Sequence, residues 1–203
     1  MSNFWNNFYK TFSIQKPSNF AKYLINKRFI IPNKKLIDIG CGNGRDTFYF
    51  KKKGIDSFGV DSSETIINLN KKKNKILFSK VNFCDENLNL KVKFDFIYCR
   101  FFLHTISDIE EKKFLKNLKR ISNKKSKIFL EFRTINDPLI NYGKILGKYE
   151  RMTDHYRRFI NVDDFKIQII KHKFNIIDLK VSKSFARFGD DCPEVCRAIL
   201  EFC

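Results

Sequence analysis

The sequence predicts an α/β fold, a doubly wound and mostly parallel seven-stranded sheet in one domain spanning residues 1–203. Three observations carry that prediction. Short apolar runs alternate with stretches of helical periodicity, and two closing strands follow the last of them. The first run, Leu36-Ile37-Asp38-Ile39, meets glycines at 40, 42 and 44 before a helix. The second, Ile55–Val60, ends in the carboxylate of Asp61. A chain of this length is natural for one domain and long enough for a full core.

Residues 1–33 precede the sheet and read as a helical lid segment. Phe4, Trp5, Phe8, Tyr9 and Phe12 recur at three- and four-residue spacing, the stripe of one helix face. Pro17-Ser18 opens a second helix, with Phe20, Tyr23, Leu24 and Arg28 along it. Lys34–Gly40 is the first strand. The glycines after it permit a sharp turn with positive φ and a close approach to a ligand, and a strand ending this way offers unpaired N–H groups. Arg45–Lys53 is a helix and Ile55–Val60 the second strand. Asp61 is placed to accept hydrogen bonds from both ribose hydroxyls of an adenosine-like ligand and to cap the next helix, with Glu64 in capping-box position.

Ile76–Phe83 is the third strand, followed by Cys84-Asp85. Lys93–Cys99, almost continuously apolar as a buried parallel strand should be, runs into Arg100-Phe101-Phe102-Leu103-His104. Ser107-Asp108-Ile109-Glu110 is a capping box, and Phe114, Leu115, Leu118 and Ile121 line one face of the helix behind it. Lys127–Phe132 is the fifth strand. From Arg133 to Thr153 the pattern loosens, with Pro138, Gly143 and Gly147 and no long periodic run; a loop this long is functional or disordered. It leads into Asp154-His155-Tyr156-Arg157-Arg158-Phe159-Ile160, so 134–160 is expected to be a substrate-facing insertion. Asn161-Val162-Asp163-Asp164 caps a further helix, and Phe174–Ser182 and Val195–Phe202 close the sheet.

Composition narrows the function classes. No run of 18 or more apolar residues exists, so no membrane-spanning helix is expected, and the N-terminus lacks the basic start and apolar core of a signal peptide. A cytoplasmic setting is expected. Six cysteines (41, 84, 99, 192, 196 and 203) form no Cys-x-x-Cys pair, and the histidines at 104, 155 and 172 show no zinc spacing, so no metal is expected. Most of these cysteines fall in predicted strands, as small buried hydrophobes. The net charge of +18 invites a nucleic-acid reading. Lysines outnumber arginines 30 to 10, however, and Phe, Ile and Asn are abundant too, the mark of a compositional bias toward AT-rich codons. Runs such as Lys51–Lys53 and Lys71–Lys73 fall at predicted helix C-termini, where cations suit the dipole. A solvated face is favoured over a nucleic-acid footprint.

The glycine spacing chooses among nucleotide ligands. A dinucleotide fingerprint has its third glycine three residues after the second; here the spacing is two, and an acid lies inside the strand. The Asp38-x-Gly40-x-Gly42-x-Gly44 run, followed by Asp61, Asp85 and Arg100–His104, resembles class I S-adenosylmethionine (SAM)-dependent methyltransferases across most of the chain. That resemblance implies the strand order 3-2-1-4-5-7-6 with strand seven antiparallel, SAM as cofactor and S-adenosylhomocysteine (SAH) as product. It implies that Asp38, Gly40, Cys41, Gly42, Gly44, Arg45 and Asp46 hold the methionine half. Asp61 and Ser62 would hold the ribose, Cys84 and Asp85 the adenine. Arg100 and Phe101 would border the transferred methyl, and Trp5 and Tyr9 would close over the ligand.

For the reaction, His155, Tyr156 and His104 are the candidate catalytic residues, and Arg133, Arg157 and Arg158 the candidate acceptor anchors. Arginine's planar fork suits phosphate or carboxylate better than lysine does. Adjacent residues on an extended segment point to opposite sides, so only one of Arg157 and Arg158 is expected to face the acceptor. The Asn/Asp-Pro-Pro-aromatic signature of many amino-group methyltransferases is absent; positions 99–102 read Cys-Arg-Phe-Phe. A small anionic acceptor is therefore favoured. Phe4-Trp5…Tyr9 and Asp154–Ile160 look similar to methyltransferases of bacterial surface-polysaccharide gene sets that serve phosphoramidate decoration of capsules. A nucleic-acid methyltransferase and a catalytically silent SAM-binding protein stay open, as does the oligomeric state.

Overall fold

Alternation of strand and helix carries the chain through α1 (Ser2–Thr11), α2 (Asn19–Asn26), β1 (Lys35–Ile39), α3 (Arg45–Lys52), β2 (Asp56–Asp61), α4 (Glu64–Lys73), β3 (Phe78–Lys80), β4 (Phe94–Arg100), α5 (Asp108–Ile121) and β5 (Ser122–Arg133). It continues through β6 (Lys144–Gly147), β7 (Glu150–Met152), β8 (Tyr156–Arg158), α6 (Val162–Lys171), β9 (Phe174–Ser182) and β10 (Val195–Phe202). The structure, a computed structural model, describes residues 2–11, 16–75 and 77–202. Phe12, Ile76 and Cys203 lie outside them, as does the side chain of Tyr9. The main sheet has the order β3-β2-β1-β4-β5-β10-β9. β10 runs antiparallel to both neighbours, and the pairs among β1 to β5 are parallel. This is the order expected above.

Period-two alternation splits the core between the two faces of the sheet. Ile37, Ile39, Ile97 and Cys99 pack with Phe114, Leu115 and Leu118 of α5. Leu36, Phe96 and Tyr98 pack on the other face with Phe20 and Leu24 of α2 and Phe50 of α3. Truncating one of these fully buried phenylalanines to Ala would cost about 3–5 kcal/mol. The helix ends follow local chemistry. Ser18 accepts the Ala21 N–H at 3.0 Å, and Ser107 and Glu110 close a reciprocal capping box. Asn161 caps α6.

Four expectations need correction. Asp61 does not cap α4; Ser63 does, because the Asp61 oxygens already accept the N–H groups of Gly42 (3.0 Å) and Ser63 (2.9 Å). The third strand shrinks to Phe78–Lys80, an edge strand that pairs with β2 over three positions. The fifth strand begins five residues earlier than its apolar pattern, with a register shift opposite Phe94 and Phe96 and Lys125 at φ 66°. The insertion after β5 is not irregular: β6, β7 and β8 form a three-stranded antiparallel sheet. Strands of three and four residues with mixed polar content are too short for alternation to register. Among the described residues Cys41, Cys84, Cys99 and Cys196 are buried free thiols, and no helix is long and apolar enough to cross a membrane.

Candidate active site

β1 and β4 lie side by side, yet the chain leaves β1 toward β2 and β4 toward β5. Such a reversal opens a crevice at the carboxyl ends of the strands. A cavity of about 580 Å³ fills it, within the range of small-molecule sites. Its floor is the loop after β1 and Arg100–Phe102 at the end of β4. Its walls come from α1 (Phe4, Trp5, Phe8), residues 16–22, the insertion (Asp154, His155, Arg157) and the β9–β10 loop (Phe185–Phe188, Asp191).

The glycines are demanded by the geometry. Gly40 has φ 69°, and a Cβ there would stand 2.9 Å from Phe102 Cδ2; Gly44 has φ 74°, with 2.6 Å to Phe78 Cζ. The expectation of free amides is not met. Gly40 and Cys41 donate to Val60 O at 2.9 and 3.0 Å, Gly42 to Asp61 and Gly44 to Cys41 O. These bonds lash the loop to the end of β2, while Asn70 donates to Gly42 O at 2.7 Å.

Two buried acids sit under the loop in different states of compensation. Asp46 accepts the Ser18 N–H at 2.7 Å and the Tyr98 hydroxyl at 2.8 Å. Asp38, 3 % exposed, accepts the Thr47 hydroxyl at 2.6 Å and has no cation within ion-pair distance among the described residues. Burial, then repulsion from Asp46, pushes its carboxyl up to about 8. A buried acid beside a cavity and without a counter-ion is poised for a ligand cation. An amino-acid ammonium, as in SAM, fits that need. Burial also raises Asp61, against the N–H groups of Ser63 and Gly42.

At the other end, His155 stacks on Phe4 (4.4 Å between centroids) and leans on Trp5 (4.7 Å). Its Nδ1 is 3.1 Å from Asp154 Oδ1, and Arg157 Nε is a buried nitrogen with no hydrogen-bond partner among the described residues. Burial, then Arg157, lowers His155 to about 4. Arg157 binds Thr153 and Asp154; although burial pushes Asp154 up, those bonds hold it below the usual carboxylate range. His104 accepts the Arg133 N–H on Nδ1 at 3.4 Å and meets the Phe101 ring edge-on at 5.1 Å. Burial, then Arg133 and Arg157, keeps it well below the usual range. Phe101 takes φ 56°, a left-handed backbone uncommon for an aromatic. Its N–H donates to Glu131 O at 2.8 Å.

The cavity thus gathers Asp38, Gly40, Cys41, Arg45, Asp46, Arg100, Phe101, Trp5, His104, His155, Arg133 and Arg157 from the residues singled out in the sequence. Others lie elsewhere. Strand alternation sends Arg158 away from it, onto Asp108, Glu111 and the carbonyl of Ile106. Tyr156 donates to Glu150 at 2.8 Å, and its hydroxyl stays protonated because burial and Glu150 raise it. Asp61, Ser62, Cys84 and Asp85 are outside the lining, with Gly42 and Gly44. Cys84 packs in the core, and Asp85 accepts the Asn87 N–H at 2.9 Å. α1 is tied to the start of α4 by a Ser63–Asn6 hydrogen bond of 2.6 Å. Arg133 reaches the cavity with its charge already met by Asp137 and Asp191.

Sequence reasoning missed Ser18 and Tyr98, which fix Asp46, and the whole β9–β10 loop. It also missed Glu131, 1 % exposed, which joins Arg100 (2.7 Å) to Arg197 (2.6 Å). An acid inside the apolar run Ile128–Phe132 was the available signal.

Against known proteins, the profile of a methyltransferase domain family matches residues 14–178. A SAM-dependent methyltransferase from Methanosarcina mazei superposes with a TM-score of 0.75 at 15 % identity, covering 88 % of this chain and 97 % of that one. The glycopeptide N-methyltransferase MtfA gives 0.71 at 10 % identity, covering 94 % and 98 %. A TehB-like SAM-dependent methyltransferase from Corynebacterium glutamicum gives 0.68 at 18 % identity, covering 98 % and 94 %. No curated protein sequence matches. At these identities the structural likeness shows the shared fold.

Proposed function

This chain belongs to the methyltransferase domain family, and from that premise we propose that it methylates a small anionic acceptor held in the crevice, with SAM as donor. Bound SAM supplies an electrophilic methyl group on a sulfonium centre. The residues that would hold it are Asp38, Gly40, Cys41, Arg45, Asp46, Arg100, Phe101 and Trp5 in the cavity. Gly42, Gly44, Asp61, Ser62, Cys84, Asp85 and Tyr9 are proposed to serve its nucleoside half.

The chain's own work is orientation, since holding a nucleophile in line supplies most of the acceleration in such a displacement. Phe4, Trp5 and Phe101 exclude water. His155, neutral at physiological pH because of its depressed pKa, can take a proton from an acceptor that must lose one.

The charge of the lining carries the anionic reading. The lining holds seven cations (Lys16, Lys22, Arg45, Arg100, Arg133, Arg157 and Arg187) and four carboxylates (Asp38, Asp46, Asp154 and Asp191), with Glu131 and Asp137 behind it paired to Arg100 and Arg133. Among the described residues Lys16, Lys22 and Arg187 have no carboxylate within ion-pair distance. We extend the proposal to cytoplasmic methylation of phosphorylated or phosphoramidate-bearing sugars for bacterial surface polysaccharide, on the likeness of Phe4-Trp5…Tyr9 and Asp154–Ile160 noted above. A panel of phosphorylated metabolites, scored by SAH formation, tests it. His155→Ala and Arg157→Ala should lower kcat/KM by about 2–4 kcal/mol with SAH affinity unchanged. Turnover of neutral acceptors alone would reject the anionic class. The net charge of +18 makes a nucleic-acid methyltransferase the second reading.

A further inference from the structure

Arg133 ends β5 at the acceptor end of the cavity, 5 % exposed, its guanidinium 5.7 Å from the Phe101 ring. Two carboxylates meet it, and they differ. Asp137 is wholly buried, 2.9 Å from Nη1, and fixed by the Leu139 N–H at 2.9 Å. Asp191 comes from the β9–β10 loop, 58 residues along the chain, takes Nη1 at 3.3 Å and also Nη2, and keeps a side chain 40 % exposed. Its loop tip is self-contained: Phe188 and Asp191 exchange both backbone hydrogen bonds, at 2.9 and 3.0 Å. Between them Gly189 takes φ 55° with nothing among the described residues within 4 Å of its Cβ position.

We infer that Asp191 is a placeholder on Arg133, occupying the subsite where the acceptor's phosphate-like or carboxylate anion binds, and that the acceptor displaces it; this rests on the methyltransferase reading above. Asp137 alone already pairs the guanidinium, so the departure of Asp191 strands no buried charge. The ion pairs at the acceptor end join four guanidinium groups (Arg100, Arg133, Arg157, Arg197) to four carboxylates (Glu131, Asp137, Asp154, Asp191), with Arg197, Glu131 and Asp137 standing behind the lining residues. With Asp191 in place that wall is neutral. With Asp191 withdrawn it carries one positive charge, presented as a planar fork that suits bidentate oxyanions. Arg157 Nε, a buried nitrogen without a hydrogen-bond partner among the described residues, belongs to the same lining as Arg133, and Lys16, Lys22 and Arg187 at the cavity draw anions toward it.

Phenyl phosphate is the probe, titrated with SAH saturating and followed by the emission of Trp5, the single tryptophan, which lines the cavity. A latch closed about ten to one weakens apparent affinity about tenfold. Asp191→Asn should therefore tighten phenyl phosphate about tenfold. Asp190→Asn, the same charge change one residue earlier, should alter it less than about twofold. Arg133→Gln added to Asp191→Asn should remove the gain. In the unmutated protein, phenyl phosphate should speed tryptic cleavage after Arg187 as the loop is released, an arm that needs no variant to fold. Equal tightening in both aspartate variants, no gain in Asp191→Asn, or cleavage indifferent to the probe would overturn the inference. SAH affinity on the same samples separates the two claims. A wild type that ignores SAH rejects the methyltransferase reading, whereas SAH binding without the Asp191 effect rejects the placeholder alone.

Discussion

Replacing Asp38 by Asn should stabilise the ligand-free protein at pH 8 while weakening its hold on SAH. The carboxyl, ordinarily near 3.8, is pushed up to about 8 in the folded chain by burial and by Asp46. Below pH 3.8 folded and unfolded chains both hold the proton, and the group contributes no pH dependence. Between 3.8 and about 8 the folded state keeps a proton that the unfolded state has released, so stability falls as pH rises through that window. At about 1.4 kcal/mol per pH unit the ceiling is roughly 6 kcal/mol. Water reaches one side of the cavity, and we take about half, ~3 kcal/mol, as the expected relief. For a chain of this size that corresponds to about 6–12 °C in Tm. Asn keeps an oxygen for the Thr47 hydroxyl, so little else changes. Differential scanning calorimetry of both proteins from pH 5 to 8 reads the effect as a Tm gap that widens with pH. A gap that stays flat, or a variant less stable than wild type at pH 8, would show that Asp38 ionises in place without needing a cation.

Gly44→Ala forces a side chain to φ 74° and to 2.6 Å from the Phe78 ring; a loss of at least about 1–2 kcal/mol is expected in urea unfolding, and wild-type stability would contradict it. Arg158→Ala leaves Glu111, whose side chain is 8 % exposed, buried without its cation. It should cost about 3–5 kcal/mol of stability while kcat of the folded fraction stays unchanged; a selective loss of kcat would return Arg158 to the site. If the lysines form a solvated face, bulk RNA should bind weakly at physiological salt. Submicromolar binding in an anisotropy assay that falls steeply with salt would put the nucleic-acid reading first.

Sheet order and most strand centres were legible because they follow from patterns a few residues long. Phe174–Ser182 and Val195–Phe202 coincide with their strands, and the Ser107–Glu110 box sits where its spacing put it. Asp38 was legible as an acid inside an apolar strand. Its partners were not, because the neighbours that raise its pKa come from α3 and the end of β2. The same limit hid the ion pairs that decide which arginines are available. Arg158 meets Glu111 across 47 residues and Arg133 meets Asp191 across 58, pairings set by topology and not by local sequence. Two adjacent arginines were visible as a pair, and strand alternation foretold that they would separate. Which one turned inward depended on how β8 lies against the segment after β4.

The most direct measurement is calorimetry of the purified protein with SAH and, separately, with NADH, in buffers of low and high ionisation enthalpy. SAH should bind near micromolar, roughly −8 kcal/mol. Close to one proton should be released per SAH near pH 7, as the ligand's ammonium ionises an Asp38 that was protonated in its absence. NADH should give no heat of binding. Binding of NADH with SAH ignored, or SAH binding with no proton released, would contradict the assignment of that carboxylate and the cavity around it.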